Sequence, residues 1–545
     1  MPGGVERLKQ AAFRTSLYRY TLSRRRLDHL LFAPALPWSG DPQRANEIFQ
    51  GRFRFAGREA RAPNQPPWRL RADDARWQRE LHRFDWLNDF AAVGGDTAGA
   101  HARRLVRSWV DLCGAFDPLV WAPDVLGRRL FNCFGRAGFL FKGAEADYRH
   151  AVLDSLGRQW RHLLRVADDA APGRGLLDAH LGLVLGGLVI PDEQIRLDQG
   201  LRRLQSALVD LVLADGGYIG RSPSQQLSVM RDLHSLRCVI EQSGRTVPAW
   251  LLETLERMAG LLAMLRHGDG GLALFNGAMQ NAAAVTETME SLGLGKIKPP
   301  LEAPDSGFQR LEGKRGLVIA DVGMPPAGEP GLAAHAGTAS FEFSVGKHRL
   351  VTNCGSGEGR AGSWQAAARG SAAHSVLVLD GRNSSEVLES GGFGRRPGRI
   401  GVTRQQDEAG NAWLEISHDG YGRGLGRLHR RRLYLGADGD DLRGEDSIEP
   451  LPQASSGVAG RDELPFAVRF HLHPEVQASP VQGGNAVLLK LGNQGWRFRA
   501  SGATVQVEES IYLGQAGETR RTDQIVLNGI ARAEATTVKW AFRKV

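Results

Sequence analysis

Cysteine is scarce in this chain of 545 residues: the four present, Cys113, Cys133, Cys238 and Cys354, lie far apart. With no CxxC pair and no zinc-type spacing, neither a disulfide framework nor a structural zinc site is indicated, and the pattern fits a reducing compartment. Long apolar runs are missing too. The longest, Leu181 to Ile190, stops at Pro191 after about ten residues, half of the roughly 20 that a membrane span needs. Lys9, Arg14 and the Arg24-Arg25-Arg26 cluster supply charge near the start without the apolar core of a secretory signal, so the expected location is the cytoplasm; the cell envelope or periplasm would require another export route. No RNA- or DNA-binding module motif is present, and Gly355-Ser-Gly-Glu-Gly359 lacks the lysine and the strand-to-helix setting of a phosphate loop. Nucleic acid is therefore not an expected partner.

What is present is an ordinary globular composition, 42% hydrophobic and 24% charged, in a chain long enough for at least two cores. The formal charge of +9 suits either a merely soluble basic surface or carboxylate, sulfate and phosphate partners, which the planar guanidinium binds bidentately. From about residue 75 to 290 apolar residues recur at three and four positions, as in Leu201, Leu204, Leu208 and Leu211, with Gly- and Pro-containing breaks between segments. This predicts helices in repeated pairs, arranged as a bundle, a solenoid or a toroid. The Leu17 to Leu31 region reads either as a solvated helix packed on that domain or as a basic amphipathic helix on an anionic membrane. Ile48 to Gly57 alternates like a short hairpin. Helical period is lost and prolines appear between Gly293 and Asp305, and from Gly307 onward short apolar runs separated by Gly, Asp and Asn predict an antiparallel sandwich. The expected division is an arm and basic helix over 1–75, a helical domain over 76–295 and a sandwich over 306–545.

Several residues carry candidate chemistry. Ser222-Pro223 is a helix-start signature, which leaves Tyr218 and Arg221 in the loop before the helix and Gln226 in its first turn. Trp86, among charged neighbours, is either a platform for a sugar ring or a packed helix residue. His418-Asp419-Gly420-Tyr421 precedes the arginine run ending at Arg432, in which Arg431 faces either solvent or a cleft, or the set is simply neutralised by Glu445 and Asp446. Period two places Arg469, His471 and His473 on one strand face, for an anion or metal or as a satisfied network.

His335 to Phe343, Val351 to Gly355 and Arg369 to Asp380 with its Ala-Ala-His-Ser core make up the most distinctive stretch. It resembles the heparinase II/III-like superfamily of polysaccharide lyases. The resemblance implies a multidomain α+β protein, an (α/α) toroid followed by an antiparallel β-sandwich, with an acidic polysaccharide or oligosaccharide bound between them. It also implies a structural zinc held at His335, Asn353 and His374. The sequence departs from the family at several positions. Asn353 stands where the metal-binding relatives hold an aspartate, Ser222 occupies the place of a carboxylate-neutralising asparagine, and Phe275-Asn276-Gly277 falls where a catalytic tyrosine is expected. Ala333 and Gly337 replace a histidine and an acidic residue flanking His335.

Two functions follow. The first is a carbon-oxygen lyase that cleaves a uronate-containing glycan by β-elimination: Arg221 with Ser222 neutralises the carboxylate, His335 or His374 is the base and Tyr218 or Tyr421 the acid. Trp86, Gln226, Arg369, Arg431, Arg469 and His471 then contact substrate. The second is a non-catalytic glycan-binding or envelope-associated protein that has lost the family's asparagine and tyrosine.

Overall fold

The computed structural model describes residues 4–63, 65–70, 74–360, 362–451, 463–481 and 483–545. It has both parts of the predicted class, helix pairs of an (α/α) toroid and an antiparallel β-sandwich. The chain divides into two compact units: residues 1–211 with 231–255, and residues 212–230 with 256–545.

In the first unit, the longest apolar run lies in the helix Arg174–Val189, whose residues from Leu177 onward are all buried. A helix apolar on every side belongs in a core, and this one packs against Pro123–Gly135. The two backbones touch where Gly127 meets Gly182: a Cβ on Gly182 would stand 2.4 Å from the Gly127 carbonyl oxygen. No helix among the described residues is long and apolar enough to cross a membrane. Arg52–Phe55 and Arg58–Arg61 form the anticipated hairpin, with Phe53 and Phe55 turned into the core. The helix expected over Leu17 to Leu31 is shorter, Ser16–Ser23; Leu22 and Leu27 are buried while Leu17 and Tyr20 stay exposed.

Six charged side chains close a ring in this unit. Arg128 donates to Asp85 at 2.6 Å and to Asp232 at 2.8 Å; Asp232 also pairs with Arg174, which reaches Asp178 at 3.1 Å. Asp178 pairs with Arg83, and Arg83 returns to Asp85 at 3.8 Å. Each charge thus has two opposite neighbours, so removing one exposes two others. Burial alone would raise the carboxyl pKa of Asp85, but Arg128 and Arg83 outweigh it and hold the pKa at about 2; Arg128 and Arg174 likewise depress that of Asp232. Both groups are ionised in the folded state at a pH where the unfolded chain already takes up protons. Their contribution is therefore fully present above about pH 4 and is lost as pH falls toward 2. Thermal melts stepped through that window are expected to lose stability with falling pH, and an Asp85→Asn variant to lose less.

The second unit is built on two antiparallel sheets. One has eight strands, in the order Val476–Pro480, Ala486–Leu491, Gln494–Ser501, Thr536–Lys544, Asp441–Pro450, Arg427–Leu435, Ala412–His418, Ile400–Gln406. The other runs from Thr504–Tyr512 through Arg520–Ala531, Leu464–Leu472, His348–Thr352, Phe341–Val345 and Gly316–Asp321 to Phe308–Glu312 and Glu302–Ala303, with Leu377–Leu379 also pairing Leu464–Leu472. Their alternate residues form one core, in which Phe341 stacks on Trp540 with ring centroids 5.5 Å apart and Phe343 meets Trp496 edge-on at 5.6 Å.

Candidate functional site

The loop that ends at Ser222 is tied down before its helix begins. Val212 and Tyr218 form a bridge, the Gln226 side chain accepts from Tyr218 N–H at 2.7 Å, and its amide donates to the carbonyls of Gly216 and Met258. The helix Pro223–Gln242 then opens with proline at its first position, as the sequence predicts. Gln226 is a buried clamp for this loop, which corrects its assignment to substrate.

Arg221 has φ +54, in the left-handed region that costs a non-glycine residue on the order of 1 kcal/mol or more. Its guanidinium recovers that cost. Nε donates to Ser306 O at 2.6 Å, Nη1 to Met324 O at 2.8 Å, and Nη2 to Gly307 O at 3.1 Å and to the Asp321 carboxylate. The Phe308 ring lies 5.0 Å from Cζ. Gly323 makes the approach feasible, because a Cβ there would stand 2.3 Å from Nη2. Asn276, at φ +47, joins the same group: its amide donates to Arg221 O and Asp321 Oδ2, and its oxygen accepts from His335 N–H at 3.1 Å. The Arg221 loop and the His335 loop therefore do meet, and Asn276 and Asp321 join them.

The two imidazoles have assignable tautomers. His374 Nδ1 donates to Gly370 O at 2.8 Å, so its Nε2 accepts from His335 Nδ1 at 3.2 Å. This leaves His335 Nε2 as an acceptor beside Gly277, whose Cβ, if present, would stand 3.4 Å from it. Burial keeps both rings neutral, with His374 and Arg369 adding to the effect on His335. Arg369 donates to Ala334 O at 2.9 Å and Gly392 O at 3.0 Å; it positions the loop that carries His335, which corrects its assignment to substrate contact.

Zinc does not fit the set His335, Asn353 and His374. Asn353 Oδ1 already accepts from Ser375 N–H at 3.0 Å, its Nδ2 donates to Glu342 at 3.2 Å, and the imidazoles bond to each other. Among the described residues no group of three His, Cys, Asp or Glu could hold a metal ion. Glu342 holds the centre of this layer, accepting from Leu274 N–H, Asn353 N–H and His267 Nε2 at 2.9 to 3.0 Å.

Four other assignments are corrected by burial. Trp86 lies among Phe84, Phe90 and Trp68 and donates to Leu81 O, so no ring face is open to a sugar. The Tyr421 hydroxyl is in the sandwich core, donates to Leu377 O at 2.7 Å and has its pKa raised by burial, so it is a poor acid. Arg431 is fully enclosed and doubly bonded to Asp446 at 2.8 and 3.0 Å. His471 donates from Nε2 to Ala372 O at 2.9 Å and bonds Ser510 through Nδ1 at 2.7 Å, which makes it part of a satisfied network. Arg469 remains partly exposed, against Glu508 and Gln524.

His471 supports a pH prediction. Burial lowers its pKa to about 3, so the folded chain leaves it neutral while the unfolded chain protonates it below about 6.5. Stability should therefore drop by about 1.4 kcal/mol per pH unit below that point from this residue alone. Denaturant midpoints measured between neutral pH and mild acid should change less steeply in His471→Gln.

Helix pairs followed by a two-sheet antiparallel sandwich give the fold of a heparinase II/III-like protein. Residues 296–541 match the family model "Heparinase II/III-like, C-terminal", and the chain belongs to the heparinase II/III-like superfamily. Over 98% of its length it is 34% identical to FtsZ-localized protein C of Caulobacter vibrioides, covering 93% of that protein. A solved heparinase III matches 99% of the chain and 91% of its own at a TM-score of 0.72 and 13% identity. A heparan sulfate lyase from Pedobacter heparinus matches 99% and 88% at 0.60 and 15% identity. Both structures bear on the fold alone.

Proposed function

We propose that this protein is a non-catalytic member of its superfamily, acting in the cytoplasm by binding and localising with FtsZ. One observation carries the non-catalytic part: four of the five N–H groups of Arg221 are taken by Asp321 and three backbone carbonyls. Elimination from a uronate needs a cation or amide to draw charge from the carboxylate, and here that cation serves the fold. Asn276, within the stretch Phe275-Asn276-Gly277 where the resemblance expects a tyrosine, is likewise committed to Arg221, Asp321 and His335. The FtsZ part is supported by the 34% identity to a protein of that name over 98% of the chain. Co-sedimentation of the purified protein with polymerised FtsZ tests it. Enrichment in the polymer pellet is the expected result, and a protein left in the supernatant, with a fluorescent fusion spread evenly in cells, would refute the reading.

A lyase acting on an acidic, uronate-containing glycan is the second reading. Among the described residues no hydrogen-bond partner reaches His335 Nε2, which favours it, since a neutral imidazole with one open nitrogen is what a general base requires. In that reading Tyr218 is the acid, Arg221 with Ser222 the charge-withdrawing group and His374 the residue orienting His335. Loss of all turnover in His335→Ala would be its signature.

A further inference from the structure

The sheet edges of the second unit differ in how they are protected, and one is left open. We propose that this edge, Ile400–Gln406, pairs with the same strand of a second copy about a twofold axis, joining two eight-stranded sheets into one. The strand is bonded to Ala412–His418 on one side and has no hydrogen-bond partner for its other side among the described residues. All its residues but Ile400 and Arg404 are exposed. Every second residue therefore turns an N–H and a C=O into solvent, a row that another extended backbone matches bond for bond. Arg404, the only charge in the strand, is drawn onto the other sheet, where it donates to Arg310 O at 2.6 Å. The remaining edges carry safeguards. Glu302–Ala303 is two residues long and Val476–Pro480 ends in proline. Thr504–Tyr512 has Glu508 at its middle, so self-pairing at full overlap would set Glu508 against Glu508.

Self-complementarity selects the occupant. The antiparallel register that overlaps the whole of Ile400–Gln406 sets Thr403 opposite Thr403, Val402 opposite Arg404, Gly401 opposite Gln405 and Ile400 opposite Gln406. Each residue then meets one from the same sheet face, and no like charges are opposed. Val402, 40% exposed in the single chain, gains the partner's Val402 as a diagonal neighbour. One step beyond the strand at each end, the same register sets Arg399 opposite Asp407. Arg399 is exposed and forms no ion pair among the described residues. Asp407 is exposed too, and its side chain accepts from Asn411 N–H and Nδ2 at 2.8 Å, neutral donors that leave its charge uncompensated. The twofold axis thus creates two reciprocal Arg399–Asp407 pairs. A foreign strand would need a base and an acid at this same spacing, whereas the chain's own strand has both. Exposed ion pairs are worth little, so these fix the register while the backbone ladder supplies the affinity.

Sedimentation velocity of the full-length protein over a concentration series tests the proposal. The expected result is a reversible monomer–dimer equilibrium with a dissociation constant of roughly 1–100 µM, as suits so short an edge. Thr403→Lys sets two ammonium groups face to face and should weaken the dimer about tenfold or more; Arg399→Glu, which opposes carboxylates, should weaken it about threefold or more. Thermal unfolding of both variants should match the parent, since both side chains are exposed. A second measurement reads the register. Opposed Thr403 residues would have Cβ atoms about 4.5–5.5 Å apart, so Thr403→Cys under mild oxidant should give a disulfide-linked dimer. Gln506→Cys, on the edge guarded by Glu508, and the parent with its four cysteines should give none. A parent chain that stays monomeric up to about 0.1 mM would overturn the proposal. So would a dimer that Thr403→Lys leaves unchanged or that Thr403→Cys fails to cross-link. The outcome is independent of FtsZ association and of lyase activity.

Discussion

Replacing Asp446 with alanine is expected to cost the sandwich unit about 3–5 kcal/mol, the range for leaving a buried charge without its partner. Asp446 is the hub of a closed network. It accepts from Arg431 twice, from His429 Nε2 at 2.7 Å and from Trp540 Nε1 at 2.8 Å. The chain continues outward, because Gly420 N–H donates to His418 Nδ1 at 3.2 Å, which leaves His418 Nε2 to donate to His429 Nδ1 at 3.1 Å. Burial would raise the Asp446 pKa, but Arg431 and His429 outweigh burial and hold the carboxyl far below its usual range. Arg431 also reaches across the core, donating to Ala339 O at 2.9 Å and Ser375 O at 2.7 Å. Without Asp446, a guanidinium and two imidazoles remain buried around a lost anion. Urea unfolding followed by tryptophan fluorescence measures the loss. A double variant, Asp446→Ala with Arg431→Met, should recover much of it, whereas a single-variant loss below about 1 kcal/mol would contradict the network's role.

The second large effect is expected at Asp321. Asp321→Ala removes the partner that holds Arg221 and Asn276, both at positive φ, and should destabilise the unit by about 3 kcal/mol. The same substitution separates the two functional readings. If the layer is structural, freeing Arg221 gains nothing beyond looser packing. If it is a dormant lyase centre, the released guanidinium would be available to a uronate carboxylate, and glycan affinity would rise. The expected result is the stability loss without that gain, measured by urea titration and by calorimetric titration with a uronate oligosaccharide.

Where the sequence is legible, it is through periodicity. Leu201, Leu204, Leu208 and Leu211 announce a helix because one face must be buried, and Phe341, Phe343 and Val345 announce a strand for the same reason. Periodicity gives direction but not what covers a face. Glu342 and Ser344 point away from the sandwich core as their alternation predicts, yet His267 bonds to both, so that face is buried as well. Arg431 is ambiguous in the sequence for a similar reason: alternation fixes its face, but the anion across the strand pair is one of two adjacent carboxylates, and register decides for Asp446. Asp321 and the bonding role of Asn276 escape sequence reasoning because the residues they join in this layer, Arg221 and each other, lie 45 or more positions apart. The one available signal is Asp321 itself, a carboxylate between Ala320 and Val322 at the end of an apolar strand. Tyr421 misleads because an Asp-Gly turn before a tyrosine suggests an exposed loop, and here the ring turns inward.

As proposed, the layer around Arg221 holds the fold together and does not run a reaction. Incubating the folded protein with a panel of uronate polysaccharides and following ultraviolet absorbance of the unsaturated product tests it most directly. No product from any substrate, with or without added zinc, is the result predicted; product that appears with the parent chain and vanishes in His335→Ala would contradict it.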